Sequence, residues 1–294
     1  MTESTMAGGR VDSGPRTTAT WSTARKVAFY SVIAVMLAGI NVAFWRVNLF
    51  PLLAWFPDDF LNRFYAPQLE LDGISVGDFA QHRIHYLAIS ANHWGSALIP
   101  LLLLLRNPIR KVAPMWQLTG GLLVGTLTYP FGDVSRIPPP VFAVIALALV
   151  AAIFHPANMF RTIPRLGDMS RAAMGAAAAI PLLMLVVDNV QLQASAVAGD
   201  PHWQGLHYQF MAEYGLVLLL LLALGASSLP GRRYSIWCAS FMIGLVGAGF
   251  LAFPDHPSSE GAVWGIMMIA FAIIYTLIGE RRHRKRSPAL VSPT

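Results

Sequence analysis

The residues best equipped for chemistry in this sequence are histidines with carboxylates nearby. Six of the eight histidines, His82, His85, His93, His202, His207 and His256, fall at one end of long apolar segments or just inside it. Only His155 and His283 lie toward the other end. With the six go Asp78, Asp133, Asp188, Asp200, Glu213, Asp255 and Glu260. Imidazole with carboxylate is the donor set of zinc, copper and non-haem iron sites. An ionisable group inside an apolar segment is costly unless it faces a bundle interior or a water-filled cavity.

Three local clusters carry the signal. The first is Asp78-Phe-Ala-Gln-His82-Arg-Ile-His85. If a helix starts a turn before His82, then Asp78 and His82 stand at i,i+4 and His82 and His85 at i,i+3, spacings that put side chains on one face as a chelate requires. His93 shares that face but lies ~16 Å deeper than His82, so a regular helix cannot offer both to one metal ion. The second is Asp200-Pro-His202-Trp-Gln-Gly-Leu-His207, followed by Glu213, with Asp188 and Asn189 at similar depth. The spacing of His202 and His207 suits a loop and not one helical face. The third is Phe253-Pro254-Asp255-His256-Pro257-Ser258-Ser259-Glu260-Gly261, a shaped turn whose Ser, Asp and Glu can equally cap the next helix. The expected ligands are His85, His93 and His207, with His82 and His256 as further metal candidates. Glu213 or Asp188 is expected as fourth ligand or general base, and Asp255 with His256 closes the site from above. Against this stand plainer uses: His82 and His85 as interfacial residues, and Glu213 snorkelling to the boundary.

The elements that must position these residues are membrane helices. The chain has 294 residues, 55% hydrophobic and 12% charged, with mean hydropathy +0.53, whereas a soluble domain runs near a quarter charged. Lys26–Trp45, Ile84–Leu105, Val141–Phe160 and Phe210–Leu229 are each long enough to cross a hydrocarbon core of ~30 Å. The reading is an all-α, polytopic membrane helix bundle with eight spans, near 27–45, 84–105, 115–131, 140–160, 172–192, 209–229, 236–253 and 262–279. Of the 21 Lys and Arg, 17 fall in 1–26, 106–114, 161–171, 230–235 and 280–294, and 4 in the remaining loops. Cationic loops are retained in the cytoplasm, so both termini are expected there and the histidine end faces outward. The expected organisation is a disordered cytoplasmic N-terminus over 1–26, a transmembrane bundle over 27–279 and a basic cytoplasmic tail over 280–294, in the cell membrane.

The net charge of +6 and pI of 9.8 do not indicate a nucleic-acid partner. The run Arg281-Arg282-His283-Arg284-Lys285-Arg286 has no interleaved aromatics and reads as a stop-transfer anchor drawn to anionic lipid. The first span is too long for a signal-peptide core and reads as a retained anchor. Cys238, the single cysteine, cannot form an intrachain disulfide.

Small residues allow helices to approach closely in lipid. Gly121 and Gly125, the run Gly175 to Ala179, and Gly244, Gly247 and Gly249 mark the third, fifth and seventh spans as the expected inner helices. An internal echo runs from His85-Tyr86 to Ala91-Asn92-His93-Trp94-Gly95 and from His207-Tyr208 to Ala212-Glu213-Tyr214-Gly215. Matching the two takes a two-residue gap, and a parallel duplication of four helices would look like this.

No HExxH zincin helix, GxSxG elbow, His-His pair or nucleotide-binding loop occurs. Asp78-x3-His82 followed by His93 resembles, over about 16 residues, the Asp-x3-His-x12-His copper motif in the C subunit of membrane copper monooxygenases, with a final gap of ten residues instead of twelve. The layout also loosely resembles membrane assembly factors for copper oxidases, without a residue-by-residue match. The leading expectation is a multi-pass metalloenzyme holding copper, zinc or iron at an extracytoplasmic His/carboxylate site and acting on a lipid-like or other hydrophobic small molecule. Oxidation and hydrolysis are both open. The alternatives are a proton- or ion-coupled transporter, a non-catalytic subunit or assembly factor with a membrane-complex partner, and a metal-free acid-catalysed cyclase.

Overall fold

The computed structural model describes residues 21–43, 47–64, 66, 82–128, 139–157, 159–195, 207–256 and 259–286. Asp78, Asp133, Asp200 and His202, which the sequence reading placed beside the histidine site, lie outside the described residues. The same is true of most of the N-terminal segment expected to be disordered. Among the described residues the chain is all-helical, without strands, apart from one isolated antiparallel bridge between Leu166 and Ser227.

The helices are α1 (Thr23–Ala43), the short α2 (Phe50–Leu53) and α3 (Asp58–Phe64), α4 (Arg83–His93) and α5 (Ile99–Leu104). They continue with α6 (Val112–Thr126), α7 (Pro139–Phe154), α8 (Met169–Ser195), α9 (His207–Ala226), α10 (Arg232–Ala252) and α11 (Ala262–Arg286). A π-turn over Trp94–Leu98 joins α4 to α5 into one continuous span. Pro100 explains the local loosening, since it has no N–H to donate and its ring crowds the preceding turn. Gln117 of α6 reaches across to this turn, donating from Nε2 to the Gly95 carbonyl while its Oε1 accepts from Ser235 of α10 at 3.0 Å. A wider turn in one helix is thereby tied to two neighbours.

Six helices are long and apolar enough to cross a membrane: Thr23–Val42, Arg83–Leu104, Met169–Ser195, His207–Ala226, Arg232–Ala252 and Ala262–Arg281. The expected third and fourth spans, 115–131 and 140–160, correspond to α6 and α7, which have 15 and 16 residues. Residues 129–138, between them, lie outside the described residues.

Helices α4 and α9 occupy the centre, with α6 and α10 against them. One core joins Leu87 and Ala91 of α4 to Val217, Leu218 and Leu221 of α9 and Met242 and Val246 of α10. A second packs Phe29, Ile33 and Met36 of α1 with Leu101 and Leu104 of α5, Leu118 of α6 and Ala148 and Ala151 of α7. Helices α8 and α11 lie outside and expose Ile180, Met184, Ile266 and Ile273, the apolar surface a lipid-facing helix needs.

The placement of α8 corrects the packing expectation. The expected third and seventh spans, α6 and α10, are inner helices, but the expected fifth, α8 with its Gly175 to Ala179 run, is peripheral. The close approach between α8 and α9 is made by α9's own glycine: a Cβ on Gly215 would stand 2.7 Å from Val186 Cγ2, whereas one on Gly175 would meet Leu222 Cβ at an ordinary 3.6 Å. Small residues permit closeness, and which helix supplies them does not say which helix is central.

Candidate functional site

Three of the expected histidines converge where α4 and α9 begin. His82 is the N-cap residue of α4, His85 stands in the helix's first turn, and His207 opens α9. The ring centroids are 4.4 Å apart for His82 and His207, 5.3 Å for His85 and His207, and 5.8 Å for His82 and His85. One donor atom from each lies within 4.8 Å of the other two. All three residues are buried, 2%, 8% and 7% exposed. Tyr86 walls the group, its ring 5.7 Å from that of His207, and is itself held by Phe50 at 4.5 Å.

Arg83, between the two α4 histidines, fixes this end of the helix. It donates to the carbonyls of Ala54 at 2.6 Å and Phe56 at 2.7 Å, pairs with Asp58, and lies 5.3 Å over the Phe253 ring. Phe253 in turn stacks on Trp55 at 5.9 Å. The α2–α3 segment and the turn after α10 are thus clamped onto the start of α4, and the charge turned toward them leaves imidazoles on the side facing α9.

The donor set fits a transition metal. Zinc–nitrogen bonds of about 2.0–2.1 Å in a tetrahedron hold nitrogens roughly 3.3 Å apart, so donors already within 4.8 Å close on an ion with small ring rotations. Three neutral imidazoles are also a common ligand set for catalytic zinc, which keeps a fourth position open.

The remaining expected residues are elsewhere. Of the expected trio His85, His93 and His207, the structure brings His85 and His207 together with His82 and leaves His93 apart from the group. The reason is local geometry. His82 is outside the helix at φ −117°, ψ 14°, which brings its ring against His207, while His93 is half-buried eight residues beyond His85, about 12 Å along a regular helix. Helix α4 also starts at Arg83, so His82 and His85 meet as cap and first turn and not as two positions on one helical face. Glu213 lies deeper than the histidines, accepting from Asn92 Nδ2 at 2.9 Å and seated against Gly125. Asp188 is exposed on the outer face of α8 beside Val187. Asp255 is exposed and His256 half-buried in the turn that follows Phe253, whose ring lies under Arg83.

Two contacts fix the direction of the central pair. His85 meets His207, and seven residues later Asn92 meets Glu213, six residues past His207. Helices α4 and α9 therefore run parallel, with the echoed positions side by side. Sequence reasoning missed Arg83 as the clamp, Tyr86 as the wall and Asn92 as the partner of Glu213. An arginine between two histidines at the mouth of an apolar segment was the available signal for the clamp, since such a cation must be paired.

Comparison with protein-family models, curated proteins and solved structures finds no match to this chain.

Proposed function

We propose that this protein is a membrane-embedded metalloenzyme in which His82, His85 and His207 hold one transition-metal ion, copper, zinc or iron. The observation that carries the reading is the convergence of three buried imidazoles from two helices, with donor atoms within 4.8 Å, in an apolar bundle. Imidazole is a ligand common to zinc, copper and iron, so three donors brought to one point suit a shared ion. Such an ion supplies Lewis acidity or activates a bound water or dioxygen. The chain does the rest: Tyr86 and Phe50 exclude water on one side, and Arg83 keeps α4's first turn in place. The N-termini of α4 and α9 both end at the site and favour an anionic oxygen at the open position. Burial within the bundle suits a lipid-like or other hydrophobic small molecule as substrate.

The topology belongs to the same reading. Taking α6 and α7 as the third and fourth of eight spans puts Arg106, Arg110, Lys111, Arg165, Arg232 and Arg233 at one end with both termini, the cytoplasmic end by charge. The histidines then face the extracytoplasmic side. The test is elemental analysis of detergent-purified protein, wild type beside His85→Ala and His207→Ala. Stoichiometric metal in the wild type and its loss from both variants is expected. Folded wild-type protein that takes up no copper, zinc or iron on reloading refutes the proposal.

A further inference from the structure

At the far end of the central helix pair, about 29 Å along the helix from His85, the chain forms an open cavity of about 820 Å³. Its walls are the end of α5, the link into α6, the link from α9 into α10, and Arg171 of α8. Six basic side chains line it, Arg106, Arg110, Lys111, Arg171, Arg232 and Arg233, and none of the lining residues is acidic.

Some of this charge is already used in holding the fold. Arg171 is 2% exposed and paired with Asp168 at 2.8 Å. Arg233 forks onto Glu280 at 2.6 and 2.7 Å. Arg232 donates to the Ser227 carbonyl at 2.6 Å, and Lys111 Nζ sits 3.4 Å over the Tyr234 ring. Arg106 and Arg110 are different: both are exposed, and neither forms an ion pair with any described residue. The N-termini of α6 and α10 add to the positive field, because their N-cap residues, Lys111 and Gly231, line the cavity and supply no side-chain cap. Two exposed guanidiniums without an acidic partner among the described residues, set in a basic cavity beside two helix starts, form an anion site, and guanidinium matches phosphate oxygens in geometry as well as charge.

The apolar part of the lining says which anion. Leu102, Leu103, Leu229 and Ile236 also line the cavity, and Leu102 and Leu105 are exposed large hydrophobic residues. The cavity therefore joins basic side chains to an apolar surface that suits hydrocarbon. We infer that this pocket binds the phosphate of an anionic phospholipid headgroup, with the acyl chains lying along Leu102 and Leu105. The volume is in the range of about 300–1,000 Å³ typical of small-ligand sites, and basic pockets between membrane helices take such headgroups.

The test uses the full chain, delipidated in a nonionic detergent. Dioleoyl phosphatidylglycerol, dioleoyl phosphatidylcholine and inorganic phosphate are each titrated, with binding read by thermophoresis and by native mass spectrometry. Saturable binding of phosphatidylglycerol but not phosphatidylcholine is expected. Arg106→Gln with Arg110→Gln should weaken it about 30-fold, two charges at the usual strength of a basic residue near an anionic surface. Lys26→Gln with Arg63→Gln removes two exposed charges away from the pocket and should leave affinity within about twofold. Both target arginines are exposed, so the unliganded melting midpoint should stay at the wild-type value. Millimolar phosphate that displaces the lipid completely would overturn the lipid as the source of the anion. Equal binding of phosphatidylcholine, or equal loss in the two double variants, would overturn the site.

Discussion

Gly125→Ala tests the position of Glu213 through the space beside it. A Cβ at Gly125 would stand 2.6 Å from Glu213 Oε1, 2.9 Å from Cδ and 3.1 Å from Cγ. Atoms do not pack that closely, and the clashing atoms belong to the end of a flexible side chain, so the carboxylate yields before the α6 or α9 backbone does. In yielding, it leaves Asn92 Nδ2, now at 2.9 Å. Overpacking costs about 1–3 kcal/mol, and an interhelical hydrogen bond within a membrane bundle contributes about 0.6 kcal/mol on average. Because the side chain can rotate away, the lower half of that range applies. The expected destabilisation is about 1–2 kcal/mol.

Glu213→Ala by itself should cost a comparable amount, since it removes the same bond and leaves a hollow. In the double variant the new methyl group enters the space the carboxylate vacated. The two changes should then fall short of additivity by about 1 kcal/mol, well outside the roughly 0.3–0.5 kcal/mol scatter of independent sites. Reversible unfolding in mixed micelles, followed by the emission of the eight tryptophans, measures all four corners of the cycle. Strict additivity would refute the placement of the Glu213 carboxylate against Gly125. Glu213→Gln provides a second check, because it keeps an acceptor for Asn92 and should cost less than Glu213→Ala.

Metal at 100 times its dissociation constant should stabilise the wild type by about 2.7 kcal/mol and His82→Ala by much less; equal stabilisation of the two in a melting assay would exclude His82 as a ligand. Arg83→Gln should lose about 2–3 kcal/mol through its bonds to Ala54, Phe56 and Asp58. It should also weaken metal binding with all three donors intact, so unchanged affinity in a chelator competition would rule out the clamp. Asp188→Asn, exposed on α8, should alter stability by no more than about 0.5 kcal/mol and leave the metal content as it was; loss of metal would bring Asp188 back to the site.

The sequence makes the helical class plain because hydrocarbon thickness and the backbone's need for internal hydrogen bonds leave few solutions for long apolar runs. It also points to His82, His85 and His207 as chemistry-bearing, since polar groups at the mouths of apolar segments stand out by composition. It cannot say which of them meet. His93 lies on the same chain face as His82, and only a helix start at Arg83, with His82 turned back as a cap, decides that His207 pairs with His82 rather than with the deeper residue. Asp188 and Glu213 look equivalent as lone acids near the outer ends of their spans, yet one is exposed on α8 and the other meets Asn92 in the interior. That difference depends on helix rotation, and the apolar runs around both residues carry little periodicity to fix it. The basic pocket was illegible for another reason: its arginines come from links far apart in sequence, each already accounted for by topology.

The parallel run of α4 and α9 relates the two ends of the molecule. Pro108 follows His85 by the same number of residues as Pro230 follows His207, and each proline opens a basic link, Pro108-Ile109-Arg110-Lys111 and Pro230-Gly231-Arg232-Arg233. The echo between the two segments thus resumes without a net gap at the far end. The links also touch, since the Ala113 N–H donates to the Pro230 carbonyl at 2.9 Å. Two parallel spans of 22 and 20 residues, side by side at the histidines and each leading into a basic link, place each site across their shared interface. An axial slide of one span past the other would separate His85 from His207 and Asn92 from Glu213, and would shift Leu102 and Leu103 against Leu229 in the cavity lining. Neither site can therefore be disturbed along that axis without strain reaching the other, and interfaces with few alternative packings transmit such displacements over their full length.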